Sequence, residues 1–459
     1  MSLKYFKRIF IAIIILLTIA GIYIIYIKDN GKTGDVQAQN RETKIIKEIL
    51  IGITDFDTIN PILTKNLEIQ HLTKLIYEPL INISKDFNTE PGIAEEWSKI
   101  DELTYIVKLD ENKKWENGEN IKVEDIQFTL SKIQEEDTIY KENIEKIQNI
   151  EKIDDSTFKI HLKEAVNFFE YLLCFPIVEE TTYNTEIPMG TGKYKITQLN
   201  QEQITIENSN IKLIVKIYRN TTELYNEFTK GNIDLIITQN TNYEDYIGNI
   251  GFEENIIVGR EYYYISCENI EDKSTRKAIN YNINKEKLIY DLYNRKYILA
   301  DFPLDYGSYL NKTKLAKEEE FKISRGEFTL STSKENSEIA EKIKEQLEEK
   351  GIRIYVQNYQ NMNADLILKT ETVPITPDIT KYFEDESIKE KLQEIVKIEN
   401  KEVLKEEYGK IIDIYYEELP FISLYFDSYI LLHNNNLKGD FSGNWYNIFY
   451  NIDTWYKIL

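Results

Sequence analysis

The residues with the most chemistry to offer are few and scattered. The chain holds three histidines, His71, His161 and His433, far apart in sequence. A metal site or a catalytic triad needs imidazole delivered to one point together with its partners, and this supply supports neither. His161 falls in the alternating run TFKIHL at 157–162, which predicts a surface or sheet-edge position. No HExxH, GxSxG, CxxC or calcium-loop pattern occurs. The nearest approach to a phosphate loop is MGTGKY at 189–194, but Ile187 stands where the first glycine belongs and Tyr194 where a Mg²⁺-binding hydroxyl belongs. Nucleotide binding is therefore excluded. With 78 Asp and Glu, neighbouring carboxylates are unavoidable, and none stands out as an acid–base couple. Cys174 and Cys267 either pair in an oxidising compartment or lie buried as free thiols, and their spacing does not decide between the two. Nothing here predicts an enzyme, and no metal or cofactor is expected.

The chain has 459 residues, 42% of them hydrophobic, with 56 Lys and Arg against those 78 acids, for a net charge of −22. This excludes a disordered or cysteine-stapled chain, and about 150 residues per domain gives roughly three globular units. A charge of this sign repels phosphate backbones and anionic lipid, so no nucleic-acid partner is expected. The abundance of Ile, Asn, Lys, Glu and Tyr fits an AT-rich coding bias, so the 33 Tyr do not argue for a carbohydrate site.

Residues Ile9 to Ile27 run without a charge, and 19 positions at 1.5 Å each span about 28 Å, the hydrocarbon thickness of a bilayer. Lys4, Lys7 and Arg8 precede the run and hold that flank in the cytoplasm, which places the body outside. The run is longer than the apolar core of a cleaved signal, and only the weak VQAQ at 36–39 offers a cleavage site, so an uncleaved anchor is favoured over a signal peptide. No cysteine follows the run closely, which excludes lipid attachment by that route. The net −22 less the +3 of residues 1–30 leaves the body at −25. Residues 31–44 read as a flexible tether.

Beyond Ile45 short strand-like runs alternate with amphipathic helical runs, the pattern of an α/β chain. Two βαβ units stand out. KLIVKIY (212–218) leads through Asn220 and Glu223, a cap signature, into a helix stopped by Gly231, then IDLIIT (233–238). EFTLSTS (327–333) leads through Ser337 into a helix with Ile339, Ile343 and Leu347 on one face, and Gly351 releases the chain into IRIYVQNY. Each unit predicts a parallel strand pair. TYIVKL (104–109), TFKIHL (157–162), KYKITQL (193–199) and QITIEN (203–208) predict antiparallel strands, so the sheets are mixed.

Several strings, in order, resemble those of the family 5 extracellular solute-binding proteins, the binding components of peptide and nickel ABC importers. They are DTINPILTKN (57–66), LIYEPLI (75–81), the EPGIAEEW to DIQFTL stretch (90–130), IPMGTGKYKI (187–196), GNIDLI (231–236), STRKAINYNINKEKLI (274–289) and EEYGKIIDIYYEELPFISLYF (406–426). Seven strings in register cover about residues 45–459. Trp97 and Trp115 are read as core packing, and Arg276 as a helix salt-bridge residue outside any pocket.

The resemblance implies a two-lobed periplasmic-binding-protein-like α/β fold, type II and cluster C-like, with mixed sheets, a hinge between lobes and an extra small domain. Beyond the anchor at 1–30 and the tether at 31–44, it divides the body into lobe I from 45–76, 187–265 and 428–459, an inserted domain at 77–186, and lobe II at 266–427. It implies peptide binding between the lobes and delivery to a membrane permease with cytoplasmic ATPases. In such relatives an acid of the second lobe meets the ligand's amino end. Here ETVPITPDITKYF (371–383) places Val373 near that position, and Asp378 matches only a later acid of the string, which leaves Asp378 as the candidate contact. Other solutes, a metal chelate, and a sensory or degenerate receptor remain alternatives.

Overall fold

The computed structural model describes residues 45–248, 251–304, 307–312 and 326–458. The expected anchor and tether lie outside these residues. Among the described residues no helix is long and apolar enough to cross a membrane.

Residues 45–458 form a single contact unit, organised by a sheet of eleven strands. One half is built on Glu48–Ile53, flanked in parallel by Lys212–Ile217 and Leu235–Thr238, with Gln203–Glu207 and Lys195–Leu199 adding antiparallel beyond. The first βαβ unit therefore forms, but its two strands do not pair with each other. Glu48–Ile53, from the start of the described chain, lies between them, a non-local choice that local periodicity does not encode. The connecting helix Thr221–Thr229 starts at Asn220, whose side chain accepts from the Glu223 N–H, and crosses directly over the inserted strand. A Cβ at Gly52 would lie 2.4 Å from Leu224 Cδ1, so glycine is what admits this helix.

The other half contains the second unit as predicted. Glu327–Ser331 pairs in parallel with Arg353–Gln357, and helix Ser337–Glu349 buries Ile339, Ile343 and Leu347. Its cap is Asn336 rather than Ser337. Leu366–Thr372 completes this half.

Two long antiparallel strands, Phe252–Ser266 and Phe421–Asn434, join the halves and so connect the two lobes. Phe421–Asn434 is buried along all but its last residue, because neighbours cover both its faces, and its sequence is accordingly apolar on both faces, broken within its first twelve residues only by Ser423, Asp427 and Ser428. The pairing of these strands slips between Val258 and Tyr262, which leaves Gly259, Arg260 and Glu261 in a bulge beside Asp427.

A separate antiparallel sheet orders Ala94–Asp101, Thr104–Leu109, Thr157–Leu162 and Ile147–Lys152, and with helix Val123–Glu135 it encloses an apolar core of its own. Trp115 is buried in that core. The strand carrying His161 lies inside this sheet, not at its edge, and the half-exposed ring meets Glu151 at 2.9 Å. Alternation correctly indicated a solvent-facing residue but carries no information about which strand is outermost. Cys174 and Cys267 are both buried and free, the second of the two readings left open by their spacing.

Candidate functional site

The bulge in the long strands builds the floor of a cleft between the lobes. Asp427 folds over Gly259, where a Cβ would lie 2.0 Å from its Oδ1. The Glu261 N–H donates to Asp427 Oδ1 at 2.8 Å and Gln239 Nε2 donates to Oδ2 at 3.2 Å. Burial pushes the Asp427 carboxyl up to about 6, the charge of Glu261 adds to the rise, and these two hydrogen bonds and Arg260 oppose it.

Arg260 joins three segments at this floor. Its guanidinium lies 4.6 Å from the ring centre of Trp445, and its Nε and Nη2 both donate to the Val373 carbonyl, at 3.1 and 2.9 Å. The Val373 N–H donates back to the Arg260 carbonyl at 2.8 Å. The loop from Val373 to Ile379 makes one wall. Pro374 and Pro377 keep it out of helix, and Tyr408 fixes it by donating its hydroxyl to the Pro377 carbonyl at 2.8 Å. The opposite wall presents Phe87, in the left-handed region at φ 60°, with its ring 5.2 Å from Trp445. A cavity of about 40 Å³ remains between the walls, room for a few waters.

The cleft is closed by the protein's own groups. The Tyr309 N–H donates to the Asp86 carbonyl at 2.9 Å, the hydroxyls of Tyr171 and Tyr309 are 3.4 Å apart, and the rings of Phe168 and Tyr408 meet at 6.5 Å. Phe168 also holds a left-handed backbone, φ 55°. A conformation costing about 1 kcal/mol or more persists only where its surroundings enforce it, and both such phenylalanines stand at this closure.

Comparison with known proteins follows the same outline. Residues 88–376 match the sequence profile of the bacterial extracellular solute-binding proteins, family 5. The chain belongs to this family. Its members are transport receptors rather than enzymes. Among curated relatives, the glutathione-binding protein GsiB of Escherichia coli O1:K1 / APEC is 29% identical over 168 residues, covering 34% of this chain and 33% of GsiB. The match thus spans about a third of that relative's length. Among solved structures, the unliganded open form of the periplasmic murein tripeptide-binding protein MppA superposes with a TM-score of 0.77 at 14% identity, over 91% of this chain and 99% of MppA. The oligopeptide-binding protein AppA of Bacillus subtilis, in complex with a nonapeptide, gives 0.57 at 18% identity, over 90% and 99% of the two chains. At such identities these structures show the two-lobed fold alone.

In this family 5 chain Asp378 lies on the cavity wall, yet its carboxylate is already engaged. Oδ1 accepts from the Thr380 N–H at 2.9 Å, and Oδ2 accepts from Asn167 Nδ2 at 3.2 Å. Val373 lines the same wall and offers only its carbonyl, which Arg260 takes. Arg276 is outside the cavity. It donates to the carbonyls of Ile270, Glu271, Glu418 and Leu419 and so ties two chain segments together, with the Glu418 carboxylate 3.9 Å away. Sequence reasoning missed Arg260, Trp445 and Asp427. A signal for Asp427 existed, since it is the lone charge in the apolar run FISLYFDSYILL.

Proposed function

We propose that the chain is the extracytoplasmic solute-binding component of an ABC importer, taking oligopeptides between its lobes and delivering them to a membrane permease driven by cytoplasmic ATPases. The observation that carries this reading is the cleft floor, where the hinge-strand cation Arg260 lies over Trp445 and acts on the charge of the hinge-strand acid Asp427. Opposite charges beside an aromatic surface suit a zwitterionic ligand. The murein tripeptide bound by MppA and the nonapeptide bound by AppA accord with it.

In this reading lobe I comprises 45–76, 187–265 and 428–459, the inserted domain 77–186 and lobe II 266–427. Residues 9–27 anchor the body to the outer face of the membrane. Asp378 exchanges Asn167 for the ligand's amino end when the clamp opens. Ligand binding stabilises whichever lobe arrangement gives it more contacts, and the permease reads that arrangement.

The test is native mass spectrometry of the full chain purified in mild detergent without refolding, followed by release and sequencing of bound molecules. A ladder of peptides is expected. An empty protein with no thermal shift on adding peptide pools would refute the reading and favour a sensory or degenerate receptor, and a single non-peptide mass would identify another solute.

A further inference from the structure

Lys74 and Arg260 lie close enough for each to feel the other's charge. They lie over consecutive aromatic residues. Lys74 Nζ is 4.6 Å from the ring centre of Tyr446, and the Arg260 guanidinium is 4.6 Å from that of Trp445. Both act on the buried Cys174 thiol, which burial raises to about 11 and the two cations pull down. Burial lowers Lys74 to about 8, and Arg260 adds to that fall.

Buried or half-buried charges in proteins are normally paired. Among the described residues, neither Lys74 nor Arg260 has a carboxylate within ion-pair distance, although the body is strongly acidic. Arg260 spends Nε and Nη2 on Val373, and its Nη1 makes no hydrogen bond among the described residues.

A third donor lies alongside. His71, one helical turn before Lys74, is 2% exposed. The Ile448 N–H donates to its Nδ1 at 3.5 Å, which puts the ring proton on Nε2, and that buried Nε2 has no partner. Its ring meets Tyr429 edge-on at 5.9 Å, and Tyr429 in turn feels the charge of Arg260. Three donors therefore share one neighbourhood and lack an acceptor, and a buried donor without an acceptor is a costly arrangement that a bound acceptor would relieve.

We infer that His71 Nε2, Lys74 Nζ and Arg260 Nη1 form a seat for an anionic group of the ligand, a carboxylate in the case of a peptide. The inference rests on the solute-receptor reading and adds to it that the ligand's acidic end enters toward lobe I, on the side of the floor away from Asp378.

The experiment offers the full chain in mild detergent an equimolar pool of random tripeptides as free acids, and the same pool as carboxyl-terminal amides, and counts retained molecules by native mass spectrometry. The wild type should retain free acids at least about tenfold better, the worth of a charge-assisted hydrogen bond. Arg260→Met should erase the preference, with circular dichroism confirming its fold. Equal retention of both pools by the wild type would overturn the seat while leaving the peptide reading intact. If neither pool is retained, the peptide reading fails and the seat is read separately, from melting midpoints in sodium phosphate and in sodium chloride of equal ionic strength. A phosphate-specific rise in the wild type that is lost in the Lys74→Met/Arg260→Met double variant would support the seat, and its absence would overturn it.

Discussion

Replacing Asp427 by Asn should stabilise the protein at pH 7.5 and leave its stability nearly unchanged at pH 4. Asp427 is 6% exposed, and burial raises its carboxyl from 3.8 to about 6 despite its hydrogen bonds from the Glu261 N–H and Gln239. Glu261 and Arg260 are the charges that face it, and Tyr263, Tyr297 and Tyr429 supply the surrounding rings. Because the folded-state value is the higher one, the folded chain holds this proton more tightly than the unfolded chain. Stability therefore falls as pH rises from about 4 to about 6 and is level above that window, as far as this group is concerned. At about 1.4 kcal/mol per pH unit, a rise of roughly two units costs about 3 kcal/mol at pH 7.5. Asn has the shape of the protonated acid, its Oδ1 still accepts from the Glu261 N–H, and Gln239 turns its amide over to accept from the new Nδ2, so the variant avoids that cost without losing the contacts. In a unit of roughly 400 residues, where unfolding entropy is about 0.8 kcal/mol/K, the gain is about 3–4 °C in melting midpoint. Differential scanning fluorimetry of both proteins at pH 4 and pH 7.5 measures it. A shift of equal size at both pH values, or none at pH 7.5, would refute the assignment of a strained hinge carboxylate.

Gly259→Ala drives a methyl to within 2.0 Å of Asp427 Oδ1, must displace the carboxylate from the Glu261 N–H, and should lower stability by about 2 kcal/mol in denaturant unfolding. Phe168→Ala removes a ring that meets Tyr408 across the closure, so small-angle scattering of the ligand-free chain should show a larger radius of gyration than the wild type. An unchanged radius would mean that Phe168 does not hold the lobes. Cys174 and Cys267, raised by burial to about 11 and about 12, should resist a thiol reagent in the native state and both react once guanidinium unfolds the chain. A mass two hydrogen atoms lighter before reduction would show a disulfide instead.

What the sequence made legible was whatever depended on neighbours in the chain. The strand Thr104–Leu109 ends where alternation ends, and helix Ser337–Glu349 buries the face its spacing predicts, because periodicity of 2 or 3.6 is set by local geometry. What pairing decides was not legible. Glu48–Ile53 enters between two strands that sequence alone would pair, and His161 is interior to its sheet. The site suffers the same loss. Asp378 could be picked out by its position in a string, yet its engagement with Asn167 depends on two segments 211 residues apart in the chain meeting. Arg260 reaches Trp445 and Val373 from the stretch where the pairing of its strand with Phe421–Asn434 slips, and both the slip and those partners depend on residues far along the chain.

The contacts at this cleft differ in strength, and the difference says which of them a ligand can displace. At the floor, Arg260 makes two hydrogen bonds to Val373 and receives a reciprocal backbone bond within one continuous sheet. Across the mouth, the Asn167–Asp378 bond is 3.2 Å long and solvent-exposed, and the Tyr171–Tyr309 hydroxyls stand 3.4 Å apart, at the weak end of hydrogen bonding. Exposed bonds of that length contribute about 1 kcal/mol or less each, and opening the mouth also releases the ring contact that opposes the left-handed strain at Phe168. Opening thus costs little at the mouth while the hinge stays intact. A ligand that satisfies the unpartnered donors of His71, Lys74 and Arg260 offers the floor a gain that closure alone does not supply, and such a difference between occupied and empty states is what a permease needs in order to tell them apart.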